Sequence, residues 1–293
     1  MSIVFSHILA FCVLFVGGIF DWKTTEVPDS VNLIGVIGGV LLHLHASLPR
    51  MDFSVLFSID VLLSDPVSWF FALGEPLAWS LGVGIIFSIY GWSLYHLGMW
   101  GGADAFAMSV LGFAAPYSVS GVSLFYPVSL FTASLLLGFL YTVSFSLLYT
   151  YRNPEILANT WQRLKRKERR ISIEVVLAGF ISAIAALTSL RLALTYYSCF
   201  LLLIILTRFL REIQDHGMIR QVKVENLEGG EVLAREEESG GKVRGISEKE
   251  IKDFEKDTVL VRKGLKFVPV FPLALFLVDV AGFSVRWLFF LFS

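Results

Sequence analysis

The chain has 293 residues, 55% of them hydrophobic and only 17% charged, and its mean hydropathy is +0.70. Soluble domains carry about a quarter charged residues, so an ordinary cytosolic globule is excluded, and 26 Phe with 7 Trp exclude disorder. A formal charge of −1 gives no electrostatic basis for binding nucleic acid. The two cysteines, Cys12 and Cys199, lie in apolar runs, which excludes a disulfide scaffold, a four-thiolate zinc site and a CxxC redox motif.

A membrane-crossing helix needs roughly 20 mostly apolar residues. Ser2 to Phe20 is such a run, closed by Asp21. Nothing basic precedes it and no small-residue cleavage site follows, so it does not read as a signal peptide. Val31 to Leu48 is the second run and Leu77 to Leu97 the third. A shorter fourth extends from Ala103 to Pro116, and Leu130 to Tyr151 is the fifth. Val175 to Leu210 is apolar for 36 residues apart from Arg191 and Arg208. One helix of that length would measure about 54 Å, so two helices joined near Ser189-Leu190-Arg191 are expected. The last run begins at Phe267 and continues to the C-terminus.

These runs describe an all-α polytopic membrane protein with about eight transmembrane helices. The expected divisions are an N-terminal core over 1–151, a basic linker over 152–174, a hairpin over 175–210, a soluble module over 211–266 and a last span over 267–293. Placing the N-terminus outside puts 21 of the 24 Lys and Arg on the cytoplasmic side, as the positive-inside rule asks. Both termini are then outside and the soluble module is cytoplasmic. Within that module, Ile219 to Val224 alternates like a strand, Ser247 opens a helix running to Lys256, and Thr258 to Arg262 reads as a second strand. A small α/β insert is expected.

Charged residues near apolar spans mark function by default. Asp21 ends the first span within Phe20-Asp21-Trp22-Lys23-Thr24-Thr25-Glu26-Val27-Pro28-Asp29, and Asp104 opens the fourth within Gly101-Gly102-Ala103-Asp104. The topology puts both at one depth on the cytoplasmic face. Alone, each has a blander reading: an interfacial stop for the acid, a simple turn for the glycines. Together they describe chemistry. Two carboxyls sharing a low-dielectric site tend to hold one proton and one charge between them. The ionised member takes a proton from a water held between the pair, and the neutral one hydrogen-bonds the carbonyl oxygen under attack. Neither a metal nor a cofactor is required. Gly101 and Gly102, with Gly98 nearby, are expected to permit unusual backbone angles and to offer backbone partners to an extended peptide.

At these residues the chain resembles the GxGD aspartic peptidases of membranes, specifically the archaeal preflagellin and prepilin peptidases. In that family one catalytic Asp closes the first helix ahead of a short basic segment and a Pro, matched here by Asp21, Lys23 and Pro28. The second belongs to a Gly-x-Gly-Asp motif opening the fourth helix, matched by Gly101-Gly102-Ala103-Asp104 with Ala in place of the last Gly. A Lys two positions after the motif Asp is common among prepilin peptidases; Phe106 stands there in this chain. The resemblance covers about Ser2 to Asn153 and resumes in the last helix. It implies a six-helix GxGD peptidase core, with the 175–210 hairpin as an addition. It also implies cleavage of a basic leader from archaellin or type IV pilin-like precursors at the cytoplasmic membrane edge. Bacterial relatives also N-methylate their product through a cysteine-containing loop; without paired cysteines, neither methylation nor zinc is expected. The partners implied are leader-bearing precursors and the lipid bilayer.

Other polar residues carry less. Asp279 lies about 18 Å along the last helix from Phe267, a different depth from the pair, and reads as a structural carboxylate or an outer-interface anchor. His43 and His45 fall on different helix faces, His216 has no Cys or His neighbour, and no metal site is expected. Glu236-Glu237-Glu238 reads as a solvated loop, and Arg163 to Arg170 as an anchor near anionic lipid. Two rival functions stand beside the leader peptidase: a presenilin-like protease cutting within substrate helices, and a non-enzymatic proton or cation carrier. The carrier is disfavoured because its acids usually sit near the midplane of repeated folds.

Overall fold

A computed structural model of the chain describes residues 2–97, 99–156, 219–227, 232–233, 257–262 and 265–285, with isolated positions between 179 and 213. It divides into two compact units: residues 1–139 with 265–293, and residues 140–264.

The first unit is helical. Helix α1 spans Ser2–Thr24 and α2 spans Asp29–Ser47. Between them Thr25 adopts φ 60°, and its N–H bonds the Asp21 carbonyl, a left-handed stop that turns the chain within four residues. Three short helices follow: α3 (Phe53–Leu56), α4 (Ile59–Ser64) and α5 (Pro66–Phe71). Each is capped by the residue before it. Asp52 accepts from the N–H groups of Ser54 and Val55, Ser58 from Val61, and Asp65 from Ser68. Asp52 and Asp65 are therefore caps as well as charges. Helix α6 spans Glu75–His96, α7 Gly102–Ala114 and α8 Phe125–Arg152.

Helix α7 is the centre of the unit. It packs against α1, α2 and α6 and is buried on nearly every side, from Asp104 to Ala114. Missing side chains set the spacing. A Cβ on Gly112 would lie 2.8 Å from the Gly84 Cα of α6, and one on Gly39 of α2 would lie 2.7 Å from the Ala114 Cα. Small residues let helices approach where lipid removes the hydrophobic drive between them. The outward faces are large and apolar, among them Phe5, Ile34, Ile37, Ile86 and Ile89, while the interior holds Ser6, Ser80 and Ser109 bonded to backbone carbonyls.

The last helix of the unit, α9, covers Val270–Asp279 and packs on α1 and α7. The sequence reading carried this helix from Phe267 to the C-terminus. Among the described residues it stops at Asp279, where side-chain bonds hold the carboxylate, and Gly282 turns the chain at φ 69°. Among the described residues, four helices are long and apolar enough to cross a membrane: α1, α2 with its following turn, α6 and α8; α7 and α9 are shorter apolar helices. The hairpin expected over 175–210 lies outside the described residues, as do Gly98, Arg163 to Arg170, His216, Glu236 to Glu238 and the helix expected from Ser247 to Lys256.

In the second unit, β1 (Ile219–Lys223), β2 (Val232–Leu233) and β3 (Thr258–Arg262) form an antiparallel sheet in the order β1-β3-β2. Ile219 pairs with Arg262 and Lys223 with Thr258. Leu227, Val259 and Val261 make its small core. The two strands expected here are present, and β2 adds to the far side of β3.

Candidate active site

Asp21 lies one turn before the end of α1 and is 5% exposed. Gly17 and Gly18, four and three residues earlier, share its face. A Cβ on Gly18 would meet the Pro269 Cα at 3.3 Å, and one on Gly17 would touch methyls of Val27 and Val268 at 3.5 and 3.6 Å. The two glycines let the segment that leads into α9 lie directly on α1. As a result the Val268 N–H donates to Asp21 Oδ2 at 3.1 Å. Lys266 donates from Nζ to the Trp22 carbonyl and lies 5.9 Å from the Trp22 ring centroid, and its charge reaches Asp21.

Asp104 occupies the first turn of α7, where a carboxylate suits the helix dipole. Its Oδ2 accepts the Gly101 N–H at 3.0 Å, the arrangement by which an N3 side chain satisfies the cap residue's donor. The glycines behave differently from expectation. Gly101 has φ −78° and ψ 162°, open to any residue, and the described left-handed glycines are Gly74, Gly121 and Gly282. What Gly101 supplies is space, since a Cβ would sit 3.3 Å from Asp104 Oδ2. Its N–H is committed to Asp104 rather than open to a peptide. Gly102 starts the helix with room to spare, since a Cβ there would lie 3.8 Å from the Tyr95 ring, and Ala103 packs partly buried on the core.

The two acids come together because α1 and α7 run antiparallel. The end of α1 therefore meets the start of α7, and the charge of Asp21 acts on Asp104. The segment 267–271 joins both sides. Val268 holds Asp21, while Phe267 and Phe271 pack against Trp100, the residue before Gly101, tilted and edge-on respectively, with ring centroids 5.8 Å apart in each pair. Each carboxyl has one oxygen fixed by a backbone N–H, and the Oδ1 of each has no hydrogen-bond partner among the described residues. Two buried carboxyls with one free oxygen apiece can hold and deprotonate a water. An apolar groove of about 590 Å³ between α1 and α9 ends beside this site, lined by Phe11, Phe15, Gly18, Trp22, Pro269 and Phe276 among others.

Residues 8–143 match the model of the type IV leader peptidase family. Over this segment the chain is similar to that family. The matched stretch contains both acids and the glycine motif, together with most of α1 and all of α2 and α6, helices long and apolar enough to cross a membrane. No curated protein and no solved structure matches the chain.

The first unit carries a second polar cluster at its other end. His7 Nδ1 is 2.7 Å from Asp279 Oδ2, His7 Nε2 is 2.9 Å from the Tyr117 carbonyl oxygen, and the Tyr126 hydroxyl donates to Asp279 Oδ1 at 2.6 Å. A carbonyl only accepts, so Nε2 carries a hydrogen, and one further proton is shared between Nδ1 and the carboxylate. His7 precedes Asp21 by fourteen positions on α1, about 21 Å along the axis. Asp279 thus ties α9 to α1 and α8 and takes no part with Asp21 and Asp104. His43 is buried and His45 exposed, on different faces of α2 as expected.

Several residues of the site escaped the sequence reading. Val268 contributes a backbone N–H, which no side-chain motif announces. Trp100 belongs to no motif the sequence reading used. Gly17 and Gly18 did carry a signal, because paired glycines one turn from an intramembrane acid mark a close backbone approach.

Proposed function

We propose that this protein is an aspartic endopeptidase that removes the short basic leader from archaellin or type IV pilin-like precursors, with Asp21 and Asp104 as its catalytic pair. The reaction takes place at the cytoplasmic membrane edge, with both chain termini outside and the 211–266 module inside. One carboxyl, ionised, takes a proton from the bound water as the hydroxyl attacks the scissile carbonyl. The other, protonated, hydrogen-bonds the developing oxyanion and then protonates the leaving amine. No metal or cofactor enters this scheme. The observation that carries the reading is that two buried acids from chain segments 83 positions apart act on each other electrostatically, inside a stretch that matches a leader-peptidase model. The fixed Oδ2 and unpartnered Oδ1 of each acid support a water held between them.

The test is a substrate panel on the full chain in nanodiscs, with cleavage sites mapped by mass spectrometry. Leader-bearing precursors cut immediately after their basic stretch support the proposal. Cuts deep in an apolar span would instead indicate a presenilin-like protease, and ion or proton flux without proteolysis would indicate a carrier.

A further inference from the structure

We infer that Asn32 is a substrate-binding residue, its side-chain amide pairing with the extended backbone of the precursor beside the scissile bond; this rests on the peptidase reading above. Asn32 is 1% exposed, and both its Nδ2 and its Oδ1 are buried without a hydrogen-bond partner among the described residues. An unpaired buried amide is costly, and native interiors rarely keep one. A leucine of similar shape would fill the same space without that cost. The one other such group among the described residues is the Ser146 hydroxyl, on α8.

The place of Asn32 in the helix packing gives the amide its use. Asn32 shares a face of α2 with Gly35 and Gly39. A Cβ on Gly35 would touch Val110 of α7 and Val13 of α1, and one on Gly39 would touch Ala114. Stepping one turn back along those pairings puts Asn32 level with Ala107 on α7 and with Gly17 on α1. Asp104 is one turn before Ala107, and Asp21 one turn after Gly17. The amide therefore lies about 5 Å along the axis from each carboxyl, on the membrane-interior side.

A peptide bound for hydrolysis is extended at the scissile bond, and inside a membrane its bared N–H and C=O groups need partners. The nearest backbone donors are already used, Gly101 by Asp104 and Val268 by Asp21. Asn32 offers one donor and one acceptor on a single planar group, the complement of a peptide N–H and C=O. The ligand is accordingly the precursor main chain on the side of the cut that continues into its apolar helix.

The experiment uses the full chain in nanodiscs with a leader-bearing pilin-like precursor. Wild-type cleavage is measured first: if it is absent, the peptidase reading fails before Asn32 is examined. With cleavage established, Asn32→Leu is expected to fold with a thermal midpoint at or above wild type. Its KM should rise about tenfold, with a smaller change in kcat, as for loss of a binding hydrogen bond. In an Asp104→Asn background the same change should weaken precursor binding about tenfold. Asn32→Ala serves as the second variant should the leucine disturb packing. Unchanged KM and unchanged binding in either folded variant would overturn the inference and leave the amide to a resident buried water.

Discussion

The contact between α1 and the segment before α9 is tight enough to be tested one methyl at a time. A Cβ on Gly18 already sits 3.3 Å from the Pro269 Cα, which is backbone and has no rotamer to yield. Gly18→Val adds two methyls beyond that Cβ, so the segment must withdraw by about 1 Å. The Val268 N–H bond to Asp21, now 3.1 Å, then passes the limit of a useful hydrogen bond. A hydrogen bond to a charged group is worth about 1.5–3 kcal/mol, and a misplacement of about 1 Å can cost about a hundredfold in rate. Gly18→Val should therefore lower kcat/KM for precursor cleavage by about 10- to 100-fold while the protein remains inserted. Gly17→Ala is the matched control. Its Cβ meets methyls at 3.5 and 3.6 Å, ordinary contacts, so activity should stay within about twofold. A folded Gly18→Val protein cleaving at the wild-type rate would refute the role given to Val268, as would an equal loss in Gly17→Ala.

Three further outcomes follow from other parts of the fold. Asp279→Ala leaves His7 and Tyr126 without their partner and should destabilise by about 1–3 kcal/mol, read by steric-trap unfolding, with the cleavage rate per folded molecule unchanged. Gly112→Ala places a Cβ 2.8–2.9 Å from Gly84, Phe87 and Val83 and should cost about 1–3 kcal/mol in the same assay. Asp52 and Asp65 are held below the usual carboxylate range, chiefly by the hydroxyls of Ser54 and Ser68. Their contribution is fully present above the unfolded value near 3.8 and is lost as pH falls through the folded one. Hydrogen-exchange protection over residues 52–71, measured against the intrinsic rate at each pH, should therefore fall below about pH 4, and Asp52→Asn with Asp65→Asn should remove that pH dependence.

The sequence made the helical frame readable because lipid imposes a simple demand on it. The run ending at Phe20 became α1 with one more turn, and Leu77 to Leu97 became α6 within two residues. Ala103 to Pro116 became the buried α7. Asp21 and Asp104 stood out because each broke an apolar pattern. What the pattern did not carry was tertiary contact. The segment 51–76 yielded no expected element because its helices are four to six residues long and held by caps. The stop of α9 at Asp279 depends on His7 and Tyr126, each more than 150 positions away. Asn32 passed as one polar residue in an apolar run, since only packing shows that its amide has no partner.

The most direct test of the catalytic pair is a cycle of Asp21→Asn, Asp104→Asn and the double variant, with cleavage and precursor binding measured on inserted protein. Two carboxyls acting on one water form a single device, and groups that act as a unit are strongly non-additive. Each single change should abolish cleavage while binding persists, and the double variant should be no worse than either. Cleavage retained by one single variant, or losses that add in the double, would contradict the account.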